Sequence, residues 1–203
     1  MRNSKAMASV AASLLALAAV ASAGPSATKG KLGPYAPKID PANFQSTVDN
    51  PYFPLAPGTR FLYRETVGGK SSDNEVTVLS ETKVIQGVTC TVVHDVLRVG
   101  DAVKEDTKDW YAQDKQGNVW YFGEDTKEYF PHGRVSAEGS WEAGVEGGQA
   151  GIFMKANPAI GEPYRQEYRK GVAEDMGQVV AIGDNVTVPS GSYTGCVKTK
   201  DWS

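Results

Sequence analysis

Histidine and cysteine are nearly missing from this chain: His94, His132, Cys90 and Cys196 are all that its 203 residues contain. Two distant histidines, with no Cys/His spacing around them, leave no ligand set for zinc of the usual kind. The same scarcity removes most candidates for the general base of a serine hydrolase. Ser140 in GSWEAG and Ser192 in SGSYTG also lack the G-x-S-x-G frame of a nucleophile elbow. His94, set among valines, reads as a hydrogen-bonded structural residue, and His132, between Pro131 and Gly133, as a solvated turn residue.

Basic clusters are missing as well. The balance of 21 Lys and Arg against 24 Asp and Glu gives a formal charge of −3, and an acidic chain without a Lys/Arg patch carries no footprint for nucleic acid. Past residue 23 nothing approaches the roughly 20 apolar residues of a membrane span. The one apolar run, residues 6–20, follows Arg2 and Lys5 and leads into Ala21, Ser22 and Ala23. That order of charged, apolar and small residues reads as a secretory signal peptide over residues 1–23. No cysteine follows the cleavage position, which argues against a lipid anchor. The expectation is an exported protein, periplasmic or extracellular, whose 19 basic and 24 acidic residues give a formal charge of −5. About 180 residues remain, enough for one domain with a core.

In an oxidising compartment Cys90 and Cys196 either pair or stay as two buried free thiols. An even pair without C-x-x-C spacing favours a structural bridge over a redox or zinc site. Such a bridge would close a loop of about 100 residues, worth ~4 to 5 kcal/mol on a chain-entropy account.

Seven prolines between Pro25 and Pro57 exclude a regular helix or central strand from residues 24–57. This segment is expected to be an extended arm with little order before Phe44. From residue 58 the pattern becomes a single all-β domain. TRFLYRET, NEVTVLSETKVI and VTCTVVHDVLRV are short β-rich runs separated by GGKSSD and QG, the mark of successive antiparallel strands. In the third run Cys90, Val92, His94, Val96 and Arg98 fall on one face, and Thr91, Val93, Asp95, Leu97 and Val99 on the other. Both faces are partly apolar, as in a central strand of a curved sheet. DKQG, with Gly117 available for a left-handed position, predicts a hairpin turn. Across it, Trp110 and Ala112 should face away from Tyr111 and Gln113, and Trp120 and Phe122 away from Val119 and Tyr121.

The segment EDTKDW at 105–110 is echoed by EDTKEY at 124–129, as neighbouring strands with like alternation would be. PGTRFLY at 57–63 is loosely matched by PAIGEPY at 158–164, and suggests two points of entry into one sheet. Residues 136–151, glycine-rich, read as a long loop anchored by Trp141. The fold expected is a curved antiparallel meander, half-barrel or barrel-like.

VDNPYFPLAPGTRFLY, DWYAQDKQGNVWYFGEDTKEY, GSWEAGVEGGQAGIFMKANPAIGEPYRQEY and YTGCVKTKDW together resemble a family of uncharacterised exported bacterial all-β proteins, over roughly residues 44–202. The resemblance implies an antiparallel β domain and brings no activity, cofactor or catalytic residue. Family members continue into a segment with a YYAPGVG-like motif, so residues 58–203 are expected to lack the last strands of the domain.

Three chemistries remain open to these residues. The acidic groups Glu105, Asp106, Asp109, Glu124, Asp125 and Glu128 could offer oxygens to Ca²⁺, with Asp106, Asp109, Glu124 and Asp125 the core of the set. Against this, Lys108 and Lys127 are interleaved with them, and cross-strand Lys/acid pairs on a wet face account for the pattern more simply. Glu124 or Glu128 facing Asp106 or Asp109 beside tryptophan would be a carboxylate pair for glycan hydrolysis. The reading that best fits the missing catalytic sets is non-enzymatic. A curved sheet would bind an apolar or amphipathic small ligand, or a cell-envelope partner, through Trp110, Trp120, Phe122, Trp141 and Tyr164.

Overall fold

A computed structural model describes residues 35–67, 69–161 and 163–203; the expected signal peptide and the first part of the arm lie outside them. The chain order is β1 (Phe44–Gln45), β2 (Arg60–Val67), β3 (Lys70–Ile85), β4 (Val88–Val99), β5 (Ala102–Asp114), β6 (Val119–Tyr129) and β7 (Val135–Ser136). β8 (Trp141–Glu142), β9 (Gln149–Met154), β10 (Tyr164–Arg165), β11 (Glu167–Tyr168), β12 (Met176–Val188) and β13 (Gly191–Trp202) complete it. The larger sheet runs β11-β9-β6-β5-β4-β3-β2 and curls into a half-barrel, with β1 beside β5 and with β7 and β8 beside β6. β10, β12 and β13 form a separate three-stranded sheet. The all-β curved meander is therefore the fold, and β2 to β6 are its consecutive antiparallel strands.

The hairpin at DKQG forms as its residues demand. Asp114 N–H donates to the Asn118 carbonyl, and Gly117 takes φ +92°. The Asp114 carboxylate accepts from the Gln116 and Asn118 amides and from the Trp120 indole at 2.8 to 3.0 Å, which locks the turn. Across the turn Tyr111 opposes Tyr121 and Ala112 opposes Trp120. The aromatics divide by face as alternation requires, yet Trp110, Tyr111, Tyr121 and Phe122 are buried and Trp120 is partly buried, so neither set is an exposed platform.

Four expectations need correction. GGKSSD is not a turn throughout: β3 begins at Lys70, and Lys70 to Asp73 pair with Val67 to Arg64, which lengthens the hairpin by four rungs. Residues 136–151 are not one loop, because β8 lies against Gly123 and Glu124 and β9 pairs with both β6 and β11. The PGTRFLY and PAIGEPY segments enter different sheets, since β2 belongs to the half-barrel and Tyr164 to the smaller sheet. The Cys90–Cys196 bridge does not form. Cys90 is buried in β4 of the half-barrel, where burial pushes its thiol up to about 12, and Cys196 sits on β13 of the other sheet.

The arm is placed well before Phe44. Tyr35 donates its hydroxyl to the Ala150 carbonyl, and Ile39 packs on the core. Val48, Phe53 and Leu55 are buried, and Phe53 lies 5.2 Å from the Tyr111 ring and 4.8 Å from Phe153. Beyond the two-residue β1 ladder, it is side chains that tie this proline-rich stretch down. The amides of Asp49 and Asn50 both donate to the Gln113 side chain, and the Asn50 amide group donates to the carbonyls of Gly117 and Lys155.

Between the rungs Asp109–Glu124 and Tyr111–Tyr121, β5 contributes only Trp110 while β6 contributes Phe122 and Gly123, a β-bulge. Gly123 has φ +130°, and a Cβ there would meet the Trp141 carbonyl oxygen at 2.2 Å. Gly123→Ala should therefore cost about 3 kcal/mol in chemical denaturation. Gly58→Ala, at φ +86° with open space around it, should cost only about 1 kcal/mol. With no bridge present, reductant should leave the melting temperature unchanged. A thiol reagent should modify half-exposed Cys196 in the native protein and Cys90 only after unfolding.

Candidate functional site

The two EDTK segments run antiparallel as neighbours, and their register sorts charge by face. The rungs are Glu105–Glu128, Asp106–Lys127, Thr107–Thr126, Lys108–Asp125 and Asp109–Glu124. Because side chains alternate, the second and fourth rungs share the outer face and join acid to lysine. The first, third and fifth share the inner face, where acid meets acid across a pair of threonines. Opposite charges across a rung stabilise a sheet, whereas like charges directly opposite destabilise it. On the outer face each acid thus has a lysine opposite it, while Lys108 makes its ion pair with Glu81 and Asp106 takes His94.

The inner face gathers more carboxylates. Asp95 on β4 opposes Thr107, and Glu167 on β11 accepts from the Trp141 indole at 2.9 Å. Several neutral donors of this face are already committed. Tyr121 donates its hydroxyl to Asp109 at 2.6 Å, Thr107 donates to Glu105, and the Asn74 amide donates to Asp95. Thr107 and Thr126 hydroxyls bond each other at 2.6 Å. Glu124, only 2% exposed, keeps a buried Oε2 with no hydrogen-bond partner, and the side-chain carbonyl of Asn74 is likewise unpartnered.

Burial with like-charged neighbours favours the protonated carboxyl. Desolvation first, then acidic neighbours, hold Asp109 and Glu124 well above the usual carboxylate range. Burial also pushes Asp95 up to about 6, Glu105 to about 7 and Glu167 to about 8. Tyr111 and Tyr121, stacked at 4.8 Å between these groups, are raised for the same reasons.

Beside the edge of β6 lies an open cleft of about 380 Å³. Trp110, Trp141, Glu124, Ser140, Val145 and Arg169 are among its walls. Lys83 stands 3.3 Å over the Trp110 ring and pairs with Glu142 at 2.7 Å. Arg169 pairs with Glu146 and donates to the Ser140 carbonyl. The cations at this rim are engaged with rim carboxylates, and Glu124 is left to itself.

Of the five aromatics expected to bind a ligand, the structure brings two together: Trp110 and Trp141 share the cleft. Phe122 is fully buried, and Trp120 is held by Asp114 and by the Phe44 ring at 6.1 Å. Tyr164 belongs to the three-stranded sheet, with Lys155 4.4 Å over its ring. The calcium quartet does not converge, because Asp106 and Asp125 face outward while Asp109 and Glu124 face inward. Among the described residues no group of three or more His, Cys, Asp or Glu side chains is arranged to hold a metal ion. Asp106 instead takes His94 at 2.9 Å, the structural partner expected for that histidine. Sequence reasoning missed Asp95 and Glu167. Asp95 was visible as the one charged residue on its face of β4, whereas the two-residue β11 gives Glu167 no periodic signal.

Compared with protein-family models, with curated proteins and with solved structures, the chain gives no match.

These raised carboxyls bind their protons more tightly folded than unfolded. The folded chain therefore carries more bound protons, and stability must fall as pH rises from the unfolded values of 3.8 and 4.5 through the folded values of about 6 to 8. The melting temperature should decline between pH 5 and pH 8.5. Glu124→Gln should flatten that decline and exceed the parent protein at pH 8.5; a melting temperature that climbs over this range would contradict the burial of these groups.

Proposed function

We propose that this is an exported, non-catalytic binding protein whose cleft beside β6 takes a small amphipathic ligand. The observation that carries the reading is the cleft itself. Its volume of about 380 Å³ falls within the range of about 300 to 1,000 Å³ usual for small-molecule sites. Two tryptophans and Val145 supply apolar wall, and Glu124 and Ser140 supply polar positions. Export rests on Arg2, Lys5, the apolar run at 6–20 and the small residues at 21–23, and on the resemblance to exported bacterial proteins.

Glycan hydrolysis is the weaker reading. Asp109 and Glu124 do oppose each other, but they are 3% and 2% exposed, so a sugar cannot lie between them. A retaining enzyme also needs one of its two carboxyls ionised as the nucleophile, and here burial and acidic neighbours raise both above the usual carboxylate range.

Val145 stands half exposed on the cleft wall, so Val145→Trp should fill the cleft without disturbing the core. The neutral dye Nile red should bind the parent protein with a fluorescence rise and fail to bind Val145→Trp at an unchanged melting temperature. Equal binding by both proteins would remove the cleft as the site.

A further inference from the structure

We infer that the ligand is an organic cation, an amine or guanidinium carried on a short apolar body, with its charged end on the inner-face carboxylates at Glu124. This rests on the binding reading above and specifies the ligand class of the same site.

The first support is a mismatch between the two faces of one hairpin. On the outer face each acid of the EDTK segments has a lysine opposite it; on the inner face Glu105 opposes Glu128 and Asp109 opposes Glu124. None of the ion pairs among the described residues reaches Asp95, Glu105, Asp109, Glu124 or Glu167. Like charges on a buried face cost stability unless they are protonated or a positive group joins them.

The second support is independent of charge. Glu124 Oε2 is buried with no partner while Glu124 itself lines the cleft. The other unpartnered atom on this face, the Asn74 side-chain oxygen, is also an acceptor. A buried acceptor left unmade costs stability, so what the face wants is N–H or O–H donors from outside.

An ammonium or guanidinium supplies donors and positive charge together. A neutral lipid supplies too few donors, an anion is repelled, and a metal ion needs converging oxygens that the described residues do not offer. Trp141 suits the same occupant, because its ring joins the cleft wall and packs edge-on to Tyr121 at 5.6 Å. Aromatic faces favour cations and apolar chains alike. The rim cations Lys83 and Arg169 do not compete for Glu124, since each already has its own carboxylate.

The test titrates octylamine, octan-1-ol and octanoate separately into the full chain at pH 8.5, by calorimetry, with Ca²⁺ alone as a fourth probe. Octylamine should bind at least tenfold more tightly than octanol, and octanoate and Ca²⁺ should not bind. Glu124→Gln should bring octylamine down to the affinity of octanol and leave octanol unchanged, while Asp106→Asn on the outer face should change neither. If Glu124→Gln does not fold, Glu167→Gln is read in its place. Equal affinity for octylamine and octanol in the parent protein overturns the cation and leaves the binding reading intact. Calcium binding lost in Glu124→Gln without octylamine binding overturns it in favour of a metal. If the folded protein binds none of the four probes, the binding reading itself falls.

Discussion

The register of β5 against β6 is the constraint on which the rest of this structure depends. Within a strand pair, a slip of one strand by one residue would turn every inward side chain of that strand outward. Here that slip of β6 would bring Asp125 and Lys127 inside and turn Glu124 and Thr126 out. Two devices hold the register. At one end the Asp114 carboxylate ties the turn by four donors; in the middle Thr107 and Thr126 meet hydroxyl to hydroxyl. Between them stands the stacked pair Tyr111 and Tyr121, whose rings fill the core beside Phe153.

The bulge at Phe122 and Gly123 converts this ladder into a site. Two residues facing one shift the alternation of β6, and the missing side chain of Gly123 lets the 141–142 backbone lie directly on the strand. Trp141 arrives on the inner side and reaches Glu167, while Glu142 turns to Lys83 above Trp110. Residues from both faces of the sheet thereby line one cleft.

Alternation, turn chemistry and composition are local, and what depends on them was legible in the sequence. The all-β class, the DKQG hairpin, the β4 faces and the division of the aromatics between the two faces all follow from spacing of two. The like-charged rungs were not legible, although EDTKDW and EDTKEY were visible as an echo. Glu105 comes to lie opposite Glu128, and Asp109 opposite Glu124, only in one antiparallel register, and no residue within either copy fixes that. The fate of Cys90 and Cys196 was equally beyond spacing, because it depends on the chain dividing its strands between two sheets. GGKSSD misled because the β3 ladder continues through residues whose composition favours a turn; pairing with β2 outweighs that preference.

The tethers of the proline-rich arm bear on the order in which the molecule can be assembled. Asn50 and Asp49 hold to Gln113, Gly117 and Lys155, and Tyr35 holds to Ala150. Every one of those partners lies more than 60 residues downstream. Synthesis runs from the N-terminus, so the arm emerges before anything exists to receive it. The stretch of the described chain that is made first cannot take its full place until Lys155 has been made.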